Sequence, residues 1–248
     1  MRNVLVLTAT ITPPAGAPLL ARTDPLQRLD DYARALSFYL TLVGSTFDAI
    51  VFAENSGSDL GRLRRMAADA GVADRVEFIS FDGLDHAASR GRGYGEFKLV
   101  DHVMNESRQI DANTFVWKCT GRYVFENIVD LVRTRPDVDL YCHFRDLPYK
   151  MCELWLMGFT CTGHALVIRG IYNELRNDKV PGVMGNNEIE FRALADGFPA
   201  ALRICKRFRR TPIIHAVRGT NNVSYSGKGT LKTLLRQTAQ LFVPWLWI

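Results

Sequence analysis

Two hydrophobic rhythms alternate over the first 80 residues, and that alternation limits the fold more than any other feature. Residues 3–11 (NVLVLTATI) are aliphatic and β-branched with no helical period, the pattern of a buried strand. Prolines 13, 14 and 18 then impose a loop. From 24 to 43 the period changes. Leu26, Leu29, Tyr32, Ala33, Leu36, Tyr39, Leu40 and Val43 recur at three- and four-residue steps, which builds one apolar helix face. Asp24 is placed to cap that helix, with Pro25 in its first position. Residues 48–53 (DAIVFA) read as a second strand, 58–70 as a helix capped by Ser58 or Asp59, and 75–80 (RVEFIS) as a third strand. Strand, helix, strand, helix, strand implies a parallel sheet with right-handed crossovers.

The remainder continues the theme less regularly. A loop, FDGLDHAASRGRGYGE, carries glycines 91, 93 and 95 and leads to a helix over 96–110. A strand over 114–118, a helix over 124–135 and a strand over 137–144 follow. One or two strands are expected within 150–169, helices near 170–178 and 188–196, and a late strand around Ile213, Ile214 and Val217. No repeat or linker interrupts the chain. The expectation is one α/β domain over 1–220, with a central mostly parallel sheet flanked by helices, and a tail over 221–248. At 248 residues such a domain buries enough surface to need no covalent staple.

Composition narrows the setting. None of the five cysteines forms a pair with the two-residue spacing of a zinc or redox motif, and their odd number without a secretory signal points to a reducing, cytoplasmic compartment. No stretch reaches the about 18 apolar residues of a membrane span. The net charge of +5 favours anionic partners. Lys206, Arg207, Arg209 and Arg210 cluster, Lys228, Lys232 and Arg236 follow, and the sequence then reads LFVPWLWI. Basic residues before Leu, Phe and Trp have the composition of an anchor on the inner membrane surface. The alternative is that Trp245 and Trp247 pack on the protein's own core.

In open parallel sheets, ligands bind beyond the carboxyl ends of the strands. Polar groups gather there. Thr8 and Thr10 close the first strand, and Glu54 and Asn55 the second. Glu54 and Asn55 suit a base or a ribose; turn chemistry before Ser58 is the alternative. Arg92 and Gly93 suit close approach of a phosphate, with Lys98 further along the helix in the same set, against a plain surface loop. Lys118-Cys119-Thr120-Gly121-Arg122-Tyr123 closes the fourth strand. Two cations at a buried strand end require an anion, either a diphosphate or a protein carboxylate such as Glu126 or Asp139. In Gly185-Asn186-Asn187-Glu188-Ile189-Glu190 the helix dipole explains one acid, whereas the whole set suits a general base. His143 and His215 read as structural, and no paired-histidine motif calls for zinc.

The order of these segments, RGRGYGEFKLVDHVM, then FVWKCTGRYVF, then GNNEIEF, resembles bacterial glycosyltransferases of the GT-A type that build surface polysaccharides such as capsule or lipopolysaccharide. The resemblance covers roughly residues 1–220. It implies a GT-A-like, Rossmann-like domain that moves a sugar from a nucleotide-sugar donor to a hydroxyl of a glycan or lipid-linked acceptor. Thr8, Glu54, Asn55, Arg92, Gly93, Lys98, Lys118, Thr120, Gly121, Arg122 and Tyr123 would hold the donor. Glu188 would be the base if the reaction inverts, with Glu190 second. The family's metal-binding Asp-x-Asp is replaced by Lys118 through Arg122, and Asp137-Val138-Asp139 follows a proline at the surface. No metal or other cofactor is therefore expected, the basic side chains supplying its charge. A nucleotidyltransferase is the alternative enzyme, opposed by the Pro-rich first loop. A nucleic-acid-binding protein is the alternative from another class, opposed by the lack of an RNP or helix-turn-helix signature.

Overall fold

The computed structural model describes residues 1–17, 20–147, 149–179 and 186–216, together with Thr238 and Phe242. The tail over 221–248, apart from those two residues, lies outside the described residues, and so do Gly185 and Val217.

The expected alternation is present. β1 (Arg2–Ala9), α1 (Pro25–Leu40), β2 (Ala49–Glu54), α2 (Gly61–Asp69), β3 (Val76–Ser80), α3 (Gly91–Glu106) and β4 (Thr114–Thr120) follow in order. The short β5 (Val124–Phe125), α4 (Ile128–Arg133), β6 (Leu140–Arg145) and the ten-residue β7 (Met151–Thr160) come next. A helical turn, α5 (Cys161–Gly163), then α6 (Asn187–Leu194), β8 (Ile204–Cys205) and β9 (Ile214–His215) complete the described elements.

Seven strands form one sheet in the order β3-β2-β1-β4-β7-β6-β8, and β5 pairs with β9 apart from it. β1, β2, β3 and β4 are mutually parallel. β7 alone runs against both of its neighbours. The period of two sorts side chains between two cores. Leu5, Leu7, Ile50, Phe52 and Trp117 enter the core that contains Tyr32, Leu36 and Tyr39 of α1. Val4, Val6, Val51 and Val116 enter the opposite core, with Phe97, Val100 and Val103 of α3. Connections therefore cover both faces. From β1 the chain steps outward to β2 and β3, then returns to place β4 on the other side of β1. The strand order switches between β1 and β4, and a crevice opens at such a point beyond the strand ends.

Several boundaries differ from expectation. Asp24 caps α1 as expected, accepting from the Leu26 N–H at 2.9 Å. α2 begins at Gly61 with no side-chain cap, because Asp59 turns the chain by accepting from Gly61 instead. The glycine-rich segment is the first turn of α3 rather than a loop. Gly91 has φ +85°, a left-handed entry no other residue adopts easily, and burial of Tyr94 and Phe97 outweighs the poor helix propensity of glycine. Residues 124–127 are too occupied with β5 pairing to be helical, so α4 starts at Ile128. The strand formers Val167 and Ile168 lie in a π-helical turn, His164–Ile168, that extends α5. Thr160 sets this up by capping, its hydroxyl oxygen accepting from the Gly163 N–H at 3.0 Å. The helix expected near 170–178 is one tight turn, Ile171–Asn173.

Candidate active site at the strand switch

Thr8 and Thr120 are the last register pair of the β1–β4 ladder. Both hydroxyls donate to one oxygen of Glu96, Oε1, at 2.8 and 3.0 Å. Glu96 projects from the second turn of α3. The Lys118 ammonium lies 2.6 Å from the same oxygen, donates to the Leu154 carbonyl on β7, and sits 5.3 Å from the centre of the Phe97 ring. Lys118 shares its sheet face with Val116, beneath α3, and is fully buried. Burial alone would raise the Glu96 carboxyl. Lys118 and the two threonine hydroxyls outweigh it and hold the group below the ordinary carboxylate value.

Lys118 is thus neutralised by a protein carboxylate, and it is Glu96 rather than Glu126 or Asp139. Direct contact between Lys118 and a phosphate is corrected on this ground, since its ammonium is sealed under α3. Arg122 is also buried, with Nη1 3.7 Å from Asp31. Asp31 in turn accepts two hydrogen bonds from Arg22 and one, at 3.4 Å, from Arg34. Arg28 lies beside this group and donates to the Thr10 carbonyl at 2.7 Å. Gly121 is dictated by packing: a Cβ there would lie 2.8 Å from the Thr8 carbonyl oxygen, which accepts the Gly121 N–H. Tyr123 contributes its carbonyl to the Tyr39 hydroxyl at 2.8 Å.

Glu54 and Asn55 shape the rim. Glu54 is fully buried and accepts from the backbone N–H groups of Ile11, Ser56 and Ser58 at 2.9, 2.9 and 3.1 Å, and from the Ser56 hydroxyl. Its carboxylate therefore ties the loop after β1 to the loop after β2. Asn55 accepts from the Thr10 hydroxyl at 2.6 Å and donates to the Gly95 carbonyl at 3.3 Å.

α6 brings in the second acidic group. Its first turn is capped by Asn186, which accepts from the Glu188 and Ile189 N–H groups at 3.1 and 3.2 Å. With its amide oxygen toward α3, Asn187 accepts from Gly93 N–H at 3.0 Å and donates to Leu175 O at 3.0 Å and Asn177 Oδ1 at 3.1 Å. The absence of a side chain at Gly93 makes room for this asparagine rather than for a phosphate. Glu188 lies within electrostatic range of Glu153, Arg92 and Glu96. Burial raises its carboxyl above the ordinary value, Glu153 and Glu96 add to that, and its own N–H and Arg92 offset part. Glu190 is raised as well, chiefly by burial, and its Oε2 is buried without a hydrogen bond among the described residues. Arg92 is exposed and has no ion-pair partner among the described residues. Lys98 pairs with Asp85 instead of facing the crevice.

Glu96, Glu153 and Asp31 were not singled out by the sequence. Glu153, held by Arg145 at 2.7 Å, precedes the part of β7 that pairs with β4, so the antiparallel strand carries it to the edge where β4 ends. The buried lysine was the one available signal that a carboxylate had to lie on the same sheet face. Asp137 and Asp139 both bind Arg203, at 2.6 and 2.9 Å; Asp137 is exposed, whereas Asp139 and Val138 are buried, so only the first residue of the triplet lies at the surface. His143 stacks on Phe208 with ring centres 5.3 Å apart. His215 lies in β9, exposed. Among the described residues no group of three or more His, Cys, Asp or Glu is arranged to hold a metal ion, and no helix is long and apolar enough to cross a membrane.

No protein-family model and no curated protein matches this chain. Solved structures similar to it include the bifunctional glycosyltransferase WbbM, at 10% identity and TM-score 0.45, covering 83% of this chain and 38% of WbbM. The galactosyltransferase LgtC, in complex with donor and acceptor sugar analogues, is similar at 12% identity and TM-score 0.46, over 82% of this chain and 72% of LgtC. A nucleoside-diphosphate-sugar pyrophosphorylase from Vibrio cholerae is similar at 10% identity and TM-score 0.47, over 82% and 91% of the two chains.

Proposed function

We propose that this protein transfers a sugar from a nucleotide-sugar donor to a hydroxyl of a glycan or lipid-linked acceptor, in bacterial surface polysaccharide synthesis on the cytoplasmic face of the membrane. The observation that carries the proposal is Glu188. It is a carboxylate whose proton affinity is raised by burial and by Glu153 and Glu96, fixed by a capped helix beside the strand-switch crevice. A base of that kind takes a hydroxyl proton more readily than an ordinary carboxylate does. Glu188 accepts the acceptor's proton, the acceptor oxygen bonds to the anomeric carbon, and the bond from that carbon to the phosphate oxygen breaks. The nucleoside diphosphate leaves with the electron pair. Arg92, exposed and within electrostatic range of Glu188, is assigned to meet that charge, a role expected of Lys118, Arg122 and Arg92 together. The proposed reaction uses this side chain in place of a divalent ion, so EDTA leaves turnover unchanged.

Two measurements test the proposal. A nucleotide that binds the native protein raises its melting temperature, so UDP, GDP, CMP and dTDP are screened by thermal shift. At least one must raise it; no shift with any of them overturns the proposal. Glu188→Gln must then abolish turnover while keeping the nucleotide-induced shift. Full activity in that variant removes Glu188 as the base.

A further inference from the structure

Glu96 occupies the strand switch itself. Its partners come from three elements: Thr8 ends β1, Thr120 ends β4, and Lys118 lies two residues before Thr120 on the same face. All three donors converge on Oε1. The other oxygen, Oε2, takes no hydrogen bond from any described residue, and the side chain keeps 23% of its surface exposed. One oxygen is therefore fully engaged and the other retains its lone pairs.

Stability does not explain this arrangement. Replacing a buried ion pair by apolar side chains of similar size is commonly neutral or stabilising. Lys118 lies on the face that carries Val4, Val6 and Val116, where an aliphatic residue would pack without the cost of desolvating a charge. The pair does fix the direction of a carboxylate. Lys118 is itself anchored by the Leu154 carbonyl, so Glu96 is held from below and from both strand ends. An ionised carboxylate accepts hydrogen bonds and donates none. It repels phosphate and suits adjacent hydroxyl groups.

We infer that Glu96 binds a vicinal diol of the substrate through Oε2, at the crevice between β1 and β4. This rests on the transferase proposal, which supplies two sources of that chemistry, the ribose of the nucleotide and the sugar to be transferred. The role is one of binding and orientation, distinct from proton abstraction by Glu188.

Calorimetric titration of the full chain tests the inference with UDP, GDP and CDP, their 2′,3′-dideoxy analogues, and the corresponding glucose diphosphonucleotides. Glu96→Gln is expected to weaken a diol-bearing ligand about tenfold, the loss of one charge-assisted hydrogen bond, and to leave the dideoxy analogue unchanged. The double variant Lys118→Met/Glu96→Leu is expected to show the same loss while melting at or above the wild-type temperature, which separates binding from folding. If UDP loses affinity but its dideoxy analogue does not, the diol is the ribose. If only UDP-glucose loses affinity, the diol belongs to the transferred sugar. Equal losses for diol and dideoxy ligands, or no loss at all, overturn the inference and leave the transferase proposal standing. Wild-type protein that binds none of these ligands overturns both.

Discussion

Gly93→Ala separates two uses of the glycine-rich segment. If Gly93 exists to let a phosphate approach, an alanine there leaves the ligand-free protein as stable as before, or slightly more so, and weakens only nucleotide binding. The structure requires a different result. A Cβ at Gly93 would fall 2.3 Å from the end of the Asn187 amide that faces it, 2.5 Å from its Cγ and 3.0 Å from its Cβ. Asn187 cannot swing away freely, because it bridges Gly93, Leu175 and Asn177. Overpacking of this kind costs about 1–3 kcal/mol, and each hydrogen bond lost adds about 1 kcal/mol. The better helix propensity of alanine returns at most about 1 kcal/mol. A net loss of about 2 kcal/mol lowers Tm by about 4–8 °C for a chain of this size. Because Asn187 immediately precedes Glu188, a shift of about 1 Å in α6 lowers kcat by about 100-fold. Thermal unfolding without ligand, followed by kcat, reads both effects. Asn187→Ala in the same chain makes room for the new methyl group, so the double variant must be less destabilised than the sum of the two single ones. A Gly93→Ala protein that melts at or above the wild-type temperature refutes this account.

Three further results follow from the electrostatics. The folded-state pKa of Glu188 is raised, so its contribution to stability is present below the ordinary value of 4.5 and lost as pH rises through the raised one. Glu188→Gln, which mimics the neutral acid, should therefore melt above wild type at pH 7.5 and level with it below pH 4.5. Asp139 moves the other way, because Arg203 holds its carboxyl below the ordinary 3.8. Its stabilisation is present above that value and lost as pH falls through the depressed one, so Arg203→Met should lower stability at pH 7 and progressively less in acid, as read by urea unfolding. Burial pushes the Cys119 thiol up to about 12, so iodoacetamide at pH 8 should label Cys161 and Cys205 in the folded protein and reach Cys119 only in guanidinium; modification of native Cys119 would contradict its placement between the sheet and Tyr39.

The first half of the sheet was legible because its determinants are local. β1, β2 and β3 each lie within a short apolar run, and α1 announces itself by period and by an Asp-Pro start. The site was legible only as an address. Local pattern does not encode which chain approaches a glycine, and Gly93 faces Asn187, some 94 positions away, where a ligand had been expected. Nor does it encode the direction of a strand. β7 was readable as extended chain, but its reversal between β4 and β6 decides that Glu153 arrives at the edge where β4 ends. Lys118 differs from both. A lysine in the run Phe115-Val116-Trp117 contradicts the burial of its own strand, a conflict visible without any structure. Conflicts between local preference and global position concentrate where function has overruled stability. The partner that resolves this one, Glu96, could not be named from spacing because α3 had to cross the sheet first. Its need could have been: a buried cation on a defined sheet face requires a carboxylate on the element covering that face, and α3 carries only a few candidates. Of the acids on α3, Glu96 and Asp101 lie far enough from the helix end to reach the sheet, and Asp101 is taken by His164 at 2.8 Å. Reading the charge, then the face, then the covering helix leads to Glu96.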